Sequence, residues 1–120
     1  MTNYKTDSYF NLAIAFAIKT VLAYVNDDAW RATQGNGLFA VFVRDENKNC
    51  PVYGLSKIAL VGLVRRLVEP QVGKSEVSQY REIISSMVAC GDIEYTIQDS
   101  GREIFHLSKS DLSCLVPRTF

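Results

Sequence analysis

The chain is poor in the residues that most often carry chemistry. Of its 120 residues one is histidine, His106, three are cysteine, and thirteen Lys and Arg are balanced by thirteen Asp and Glu. Cys50, Cys90 and Cys114 are odd in number and widely spaced, with no CxxC pair, so neither a disulfide framework nor a zinc motif is visible and a reducing cytoplasm is the expected setting. His106 has no histidine or carboxylate cluster beside it in the sequence to hold a metal, and no Gly-rich loop links a strand to a helix to cradle a phosphate. Zero net charge removes the positive excess expected of a dedicated nonspecific nucleic-acid binder, since affinity for phosphate scales with the cations supplied. The expectation is a protein with no cofactor, no metal, no small-molecule substrate and no enzymatic activity.

The apolar content, 48%, is ordinary for a globular protein, and the length suits a single domain over residues 1–120 that buries one core without staples. The strongly apolar run YFNLAIAFAIKTVLAYV, Tyr9 to Val25, lacks the basic start and cleavage pattern of a signal peptide. Asn11 and Lys19 interrupt it and it is short for a membrane span, so a helix of a soluble protein is expected. Ser8, Asn11, Ala15, Lys19 and Asn26 fall near one line of the helical wheel and predict a thin solvent stripe. The rest of the circumference is apolar. Such a helix is either sunk in the core or covered by a partner, and homodimerisation is the favoured form of the second.

The helical pattern breaks at Asn26, Asp27 and Asp28, and TQGNG supplies turn residues. LFAVFVRD, Leu38 to Asp45, reads as a strand, and Asn49 to Tyr53 as a second one that Pro51 demotes to an edge strand or an irregular piece. LSKIALVGLVRRLVEP predicts a central buried helix with Ser56 as its cap and Pro70 as its stop. SEVSQYREIISSMVACG predicts another, with Val77, Tyr80, Ile83, Ile84, Met87 and Val88 on one side and Gly91 as its C-terminal cap. Ile93, Tyr95 and Ile97 then alternate with Glu94, Thr96 and Gln98 as a half-buried strand, and QDSG turns the chain into the returning strand REIFHL.

The segment REIISSMVACGDIEYTIQDSGREIFHLS therefore holds a helix ending in glycine, a short strand, a polar wing tip and a strand that returns. This order resembles the second half of a winged-helix domain, over about Leu55 to Ser108. The implied fold class is α+β: a winged-helix-like part at 55–108, an N-terminal helix and strand extension at 1–54, and a short tail at 109–120. The resemblance implies that the helix from Ser75 to Cys90 takes the recognition position in the major groove while the hairpin tip meets the backbone or minor groove. Ser75, Ser78, Gln79 and Ser85 could then bond base edges, and Lys74, Arg81, Arg102 and Lys109 phosphates, with Gln98 at the wing. Each also has an ordinary reading as a solvated surface group. Glu82, in the middle of that face, would repel phosphate unless it accepted a hydrogen bond from cytosine.

Catalytic readings carry less. Glu46, Asn47 and Lys48 resemble the acidic-x-lysine part of a nuclease site, which would need a further carboxylate such as Asp27 or Asp28 to hold magnesium, but DENKN reads more naturally as a solvated turn. His106, inside a strand, reads as a structural residue, and Cys90, at a helix end, as packing. Two functions remain. The first is a small DNA-binding transcriptional regulator acting on duplex DNA as a homodimer through its N-terminal helix. The second is a non-enzymatic interaction module, such as a virus- or mobile-element-encoded inhibitor of a host protein machine; zero net charge, Glu82 and the excess apolar surface favour it, since a few anchors decide a protein interface more than net charge does.

Overall fold

Two short hydrogen-bonding devices at the end of the first helix decide how the chain begins to pack. The computed structural model describes residues 9–34, 40–45 and 51–108. Within them the elements are α1 (Tyr9–Tyr24), α2 (Asp28–Gln34), β1 (Val41–Asp45), β2 (Pro51–Ser56), α3 (Lys57–Val72), α4 (Val77–Ala89), β3 (Ile93–Ile97) and β4 (Glu103–Leu107). Asn26, just past α1, accepts from the Tyr53 N–H at 2.8 Å and donates to the Tyr53 carbonyl at 3.2 Å, as a neighbouring strand would. Asp27 Oδ1 then accepts from the N–H groups of Ala29 and Trp30, a side-chain cap that starts α2 where the sequence pattern suggested only a turn.

The predicted solvent stripe of α1 is overturned. Ala15 is buried and Asn26 is docked on β2, while Ile14, Ala17, Ile18, Val21 and Leu22 join the core. The outward face is instead Tyr9, Leu12, Phe16 and Tyr24. Asn11 and Lys19, the polar residues inside the apolar run, are half-buried. Ser8 lies outside the described residues.

The four strands form one antiparallel sheet in the order β1-β2-β4-β3. β2 is therefore internal, not an edge. Pro51 stands at its first position, where β2 meets only β1, and pairing with β4 is confined to Leu55 and Ser56, so the missing proline N–H interrupts nothing on that side. At Gly54 a Cβ would lie 2.3 Å from the Phe105 carbonyl oxygen; only glycine lets β2 approach β4 so closely.

α3 is capped by Ser56, whose hydroxyl accepts from Ala59 N–H, as expected. It does not stop at Pro70. That residue sits in the last turn, and Gly73 N–H closes onto the Glu69 carbonyl at 2.8 Å, ending the helix after Val72. Nor is α3 encircled by core: Leu60, Val61, Val64 and Val68 are buried, but Ile58 is 81% exposed and Leu67 is also open to solvent.

α4 buries Tyr80, Ile83, Ile84 and Met87, as its periodicity requires, although Val77 at its first turn stays exposed. The C-terminus follows the expected glycine cap: Asp92 N–H reaches the Met87 carbonyl and Gly91 N–H that of Val88, with Gly91 at φ 84°. In the hairpin only Ile93 of the inward row is buried. Tyr95 and Ile97 run past the helices into solvent, whereas Ile104, Phe105, His106 and Leu107 of the internal strand β4 are all covered. The result is an α+β fold with a winged-helix-like layout, preceded by the long apolar helix and an extra strand.

Candidate functional site

The connection between α3 and α4 is held by a chain of side chains rather than by apolar packing alone. Arg65, one turn before Glu69, bonds its carboxylate through Nη2 at 3.0 Å and Nε at 3.3 Å. Glu69 Oε2 also accepts from the backbone N–H and the hydroxyl of Ser75. These donors, Arg65 foremost, hold the Glu69 carboxyl below its ordinary value. Ser75 Oγ in turn contacts the buried Tyr80 hydroxyl at 2.6 Å. The network fixes the angle at which α4 leaves the turn.

Two of the expected contact residues hold bonds within the protein. Ser75 is committed to Glu69 and Tyr80, and Gln79 turns back so that its Oε1 accepts from the Glu76 N–H at 2.8 Å, satisfying an otherwise orphaned helix-start donor. Lys74, Ser78, Arg81, Glu82 and Ser85 are exposed. Spacings of three and four align Ser78, Glu82 and Ser85 along one ridge of α4.

Arg81 lies beside that ridge and lines, with Lys57, Ile58, Val61, Gly62, Arg65 and Val77, a shallow hollow of about 270 Å³ between α3 and α4. Sequence reasoning missed this grouping. Lys57, Ile58, Arg65 and Arg81 belong to two helices, and each helix by itself looks like an ordinary solvated or buried pattern. The exposure of Ile58 was hidden because α3 carries apolar residues nearly all round. Lys57 Nζ stands 5.7 Å from the centre of the Phe105 ring, at the edge of cation–π range.

The hairpin tip is closed by Gln98 N–H to the Arg102 carbonyl at 2.9 Å and by Gly101 N–H to the Gln98 carbonyl at 2.8 Å. Arg102 is exposed and Gln98 half-buried at the root of the wing, where it lines a second hollow with Val43, Thr96, Ile97, Asp99 and Ile104. Arg44 of β1 reaches Glu94 of β3 at 3.7 Å, tying the extra strand across to the hairpin. Lys109, the remaining expected contact, lies outside the described residues.

His106 is fully buried, with Nε2 2.9 Å from Thr96 Oγ1 and Nδ1 3.0 Å from the Leu107 carbonyl oxygen. Asp27 caps α2 and Asp28 pairs with Arg31; Glu46, Asn47 and Lys48 lie outside the described residues. Among the described residues no group of His, Cys, Asp and Glu is arranged to hold a metal ion. Cys90 is exposed and outside any disulfide, its Sγ 3.6 Å from the Met87 carbonyl oxygen, rather than packed in the core. No single described helix is long and apolar enough to cross a membrane.

What defines the chain is thus its layout: an α+β protein in which strand, two helices and a hairpin follow in winged-helix-like order. No family model matches it, and neither does any curated protein or solved structure.

Proposed function

We propose that the chain is a small DNA-binding regulator of a reducing cytoplasm, which lays α4 in the major groove of duplex DNA and sets the β3–β4 tip against the backbone. The observation that carries this reading is the order β2-α3-α4-β3-β4 with β2 hydrogen-bonded to β4, which gives α4 an outer ridge free of core duties. On that ridge Ser78 and Ser85 can donate to or accept from base edges, and Glu82 can accept from a cytosine amino group. Lys57, Lys74, Arg81 and Arg102 supply the cations for phosphate, enough for a contact set of modest size despite the neutral total.

Fluorescence anisotropy with a mixed-sequence duplex tests it. Binding should weaken steeply with salt, and the double variant Arg81→Ala/Arg102→Ala should bind about tenfold or more weakly, with a salt slope shallower by about two. Equal binding by the double variant would remove α4 and the wing from the interface.

One observation favours a second reading, a module that binds and blocks another protein. Ile58 is 81% exposed beside Val77 in the cation-rimmed hollow. A phosphate-facing surface gains little from an isoleucine there, whereas a protein partner gains an anchor. Recovery of a partner from nuclease-treated lysate, abolished by Ile58→Asp, would decide for this reading.

A further inference from the structure

α1 presents a face that the other described residues leave open. Tyr9, Leu12, Phe16 and Tyr24 recur at helical spacing and are 75%, 41%, 76% and 45% exposed. Between them lie the small Ala13, Ala17 and Thr20, and Leu67, Val68 and Gln71 of α3 complete an open groove of about 540 Å³. Just past the end of this helix, Asn26 is turned inward onto β2. A helix whose outward face carries four exposed large side chains, three of them aromatic, has a surface adapted to a cover rather than to water.

We propose that this groove is an interface between two copies of the chain, packed with their α1 helices antiparallel across a two-fold axis near Phe16. A two-fold interface sets one patch against itself, so it needs projections and recesses on the same surface. Phe16 and Tyr9 are the projections; Ala13, Ala17 and Thr20 are the recesses. The symmetry also brings each charge near its own copy, so a charged patch would repel, and among the described residues that line the groove none is charged.

Area leads the same way. The exposed parts of Tyr9, Leu12, Phe16, Tyr24 and Leu67 amount to roughly 500 Å² per copy. Two copies together would bury about 1,000 Å², the lower limit for a specific association. In this arrangement the two Phe16 rings meet at the axis, and Tyr9 of each copy approaches Tyr24 of the other. The groove is lined by α1 and α3 and includes no residue of α4 or of the β3–β4 tip.

Light scattering without DNA tests it. The wild-type chain should have twice the mass of one 13.4 kDa chain. Phe16→Asp and Phe16→Lys should each run as the single chain with unchanged far-ultraviolet circular dichroism, because Phe16 is largely outside the core, and Leu67→Glu on α3 should do the same. Mixing the two Phe16 variants should restore the doubled mass, since Asp then faces Lys across the axis. A wild-type monomer overturns the proposal, as does a dimer that survives in all three variants. Failure of the mixed pair to associate overturns the placement of the axis at Phe16. A monomer that partitions onto phosphatidylcholine vesicles assigns the face to lipid and overturns the dimer as well.

Discussion

The hydroxyl of Tyr80 lies 2.6 Å from Ser75 Oγ, and this contact joins the buried body of α4 to the turn that precedes it. Ser75 spends its own proton on Glu69 Oε2 at 3.0 Å, so Tyr80 is the donor. The direction matters because a lost donor and a lost acceptor have different costs.

Tyr80→Phe removes only the donor and leaves Ser75 bonded to Glu69, at a cost of about 1 kcal/mol. Ser75→Ala leaves the Tyr80 hydroxyl buried without an acceptor and strips one donor from Glu69, at about 2 kcal/mol or more. Urea unfolding midpoints at an unchanged slope measure both. Should Tyr80→Phe prove the more damaging, the hydrogen bond runs the other way.

Glu69 gives the fold a pH dependence of definite sign. The bonds from Arg65 and from the Ser75 hydroxyl and N–H favour the carboxylate, so the folded value lies below the ordinary one of 4.5. The associated stabilisation is complete above the unfolded value and is lost as pH falls through the folded one. Glu69→Gln should therefore be less stable than wild type near neutrality, and its disadvantage should shrink under acid titration below about 4.5. A gap that stays constant with pH would show that the charge of Glu69 plays no part.

Two glycines should respond to alanine in opposite directions. At Gly54 the new methyl would sit 2.3 Å from the Phe105 carbonyl oxygen and 2.8 Å from Ile104 Cγ2, and backbone cannot give way cheaply. Gly54→Ala should cost about 3 kcal/mol by forcing β2 from β4. Gly62, in the middle of α3, has nothing within 4 Å of its added Cβ, so Gly62→Ala should gain about 1 kcal/mol from helix propensity and a less free unfolded chain. Thermal unfolding of the two variants reads the contrast directly.

The hairpin, the inward row of α4 and the Gly91 cap were legible because each is written within a few consecutive residues. Periodicity finds Tyr80, Ile83, Ile84 and Met87, and a glycine after a helical run predicts its ending. The outer surface was less legible. Asn26 and Gln79 are polar, so pattern reading assigns them to solvent, yet each satisfies backbone groups that only the folded chain brings near. The aromatic face of α1 was legible only in part, because a helix apolar nearly all round reads equally well as buried or as covered by a partner, and Phe16 and Tyr24 look like core. α2 escaped because its seven residues carry too little apolar rhythm and its cap, Asp27, reads equally well as a turn. Pro70 misled because proline is tolerated in a last turn when Gly73 closes the helix behind it.

Ile58 offers the sharpest division between the two functions, because its side chain is 81% exposed and can be changed without emptying the core. It stands in the hollow lined by Lys57, Arg65 and Arg81. Ile58→Lys keeps a good helix former at that place and adds one cation to those already there. If α3 and α4 face phosphate, the variant should bind duplex DNA more tightly at low salt, with a salt slope steeper by about one. If the hollow instead receives an apolar side chain of a protein partner, the same substitution buries a charge in the contact and association should fall by tenfold or more, with DNA binding unaltered or absent. Anisotropy titrations of wild type and Ile58→Lys at two salt concentrations separate these cases: a gain in DNA affinity ties the hollow to nucleic acid, and no gain leaves Ile58 as an anchor for protein.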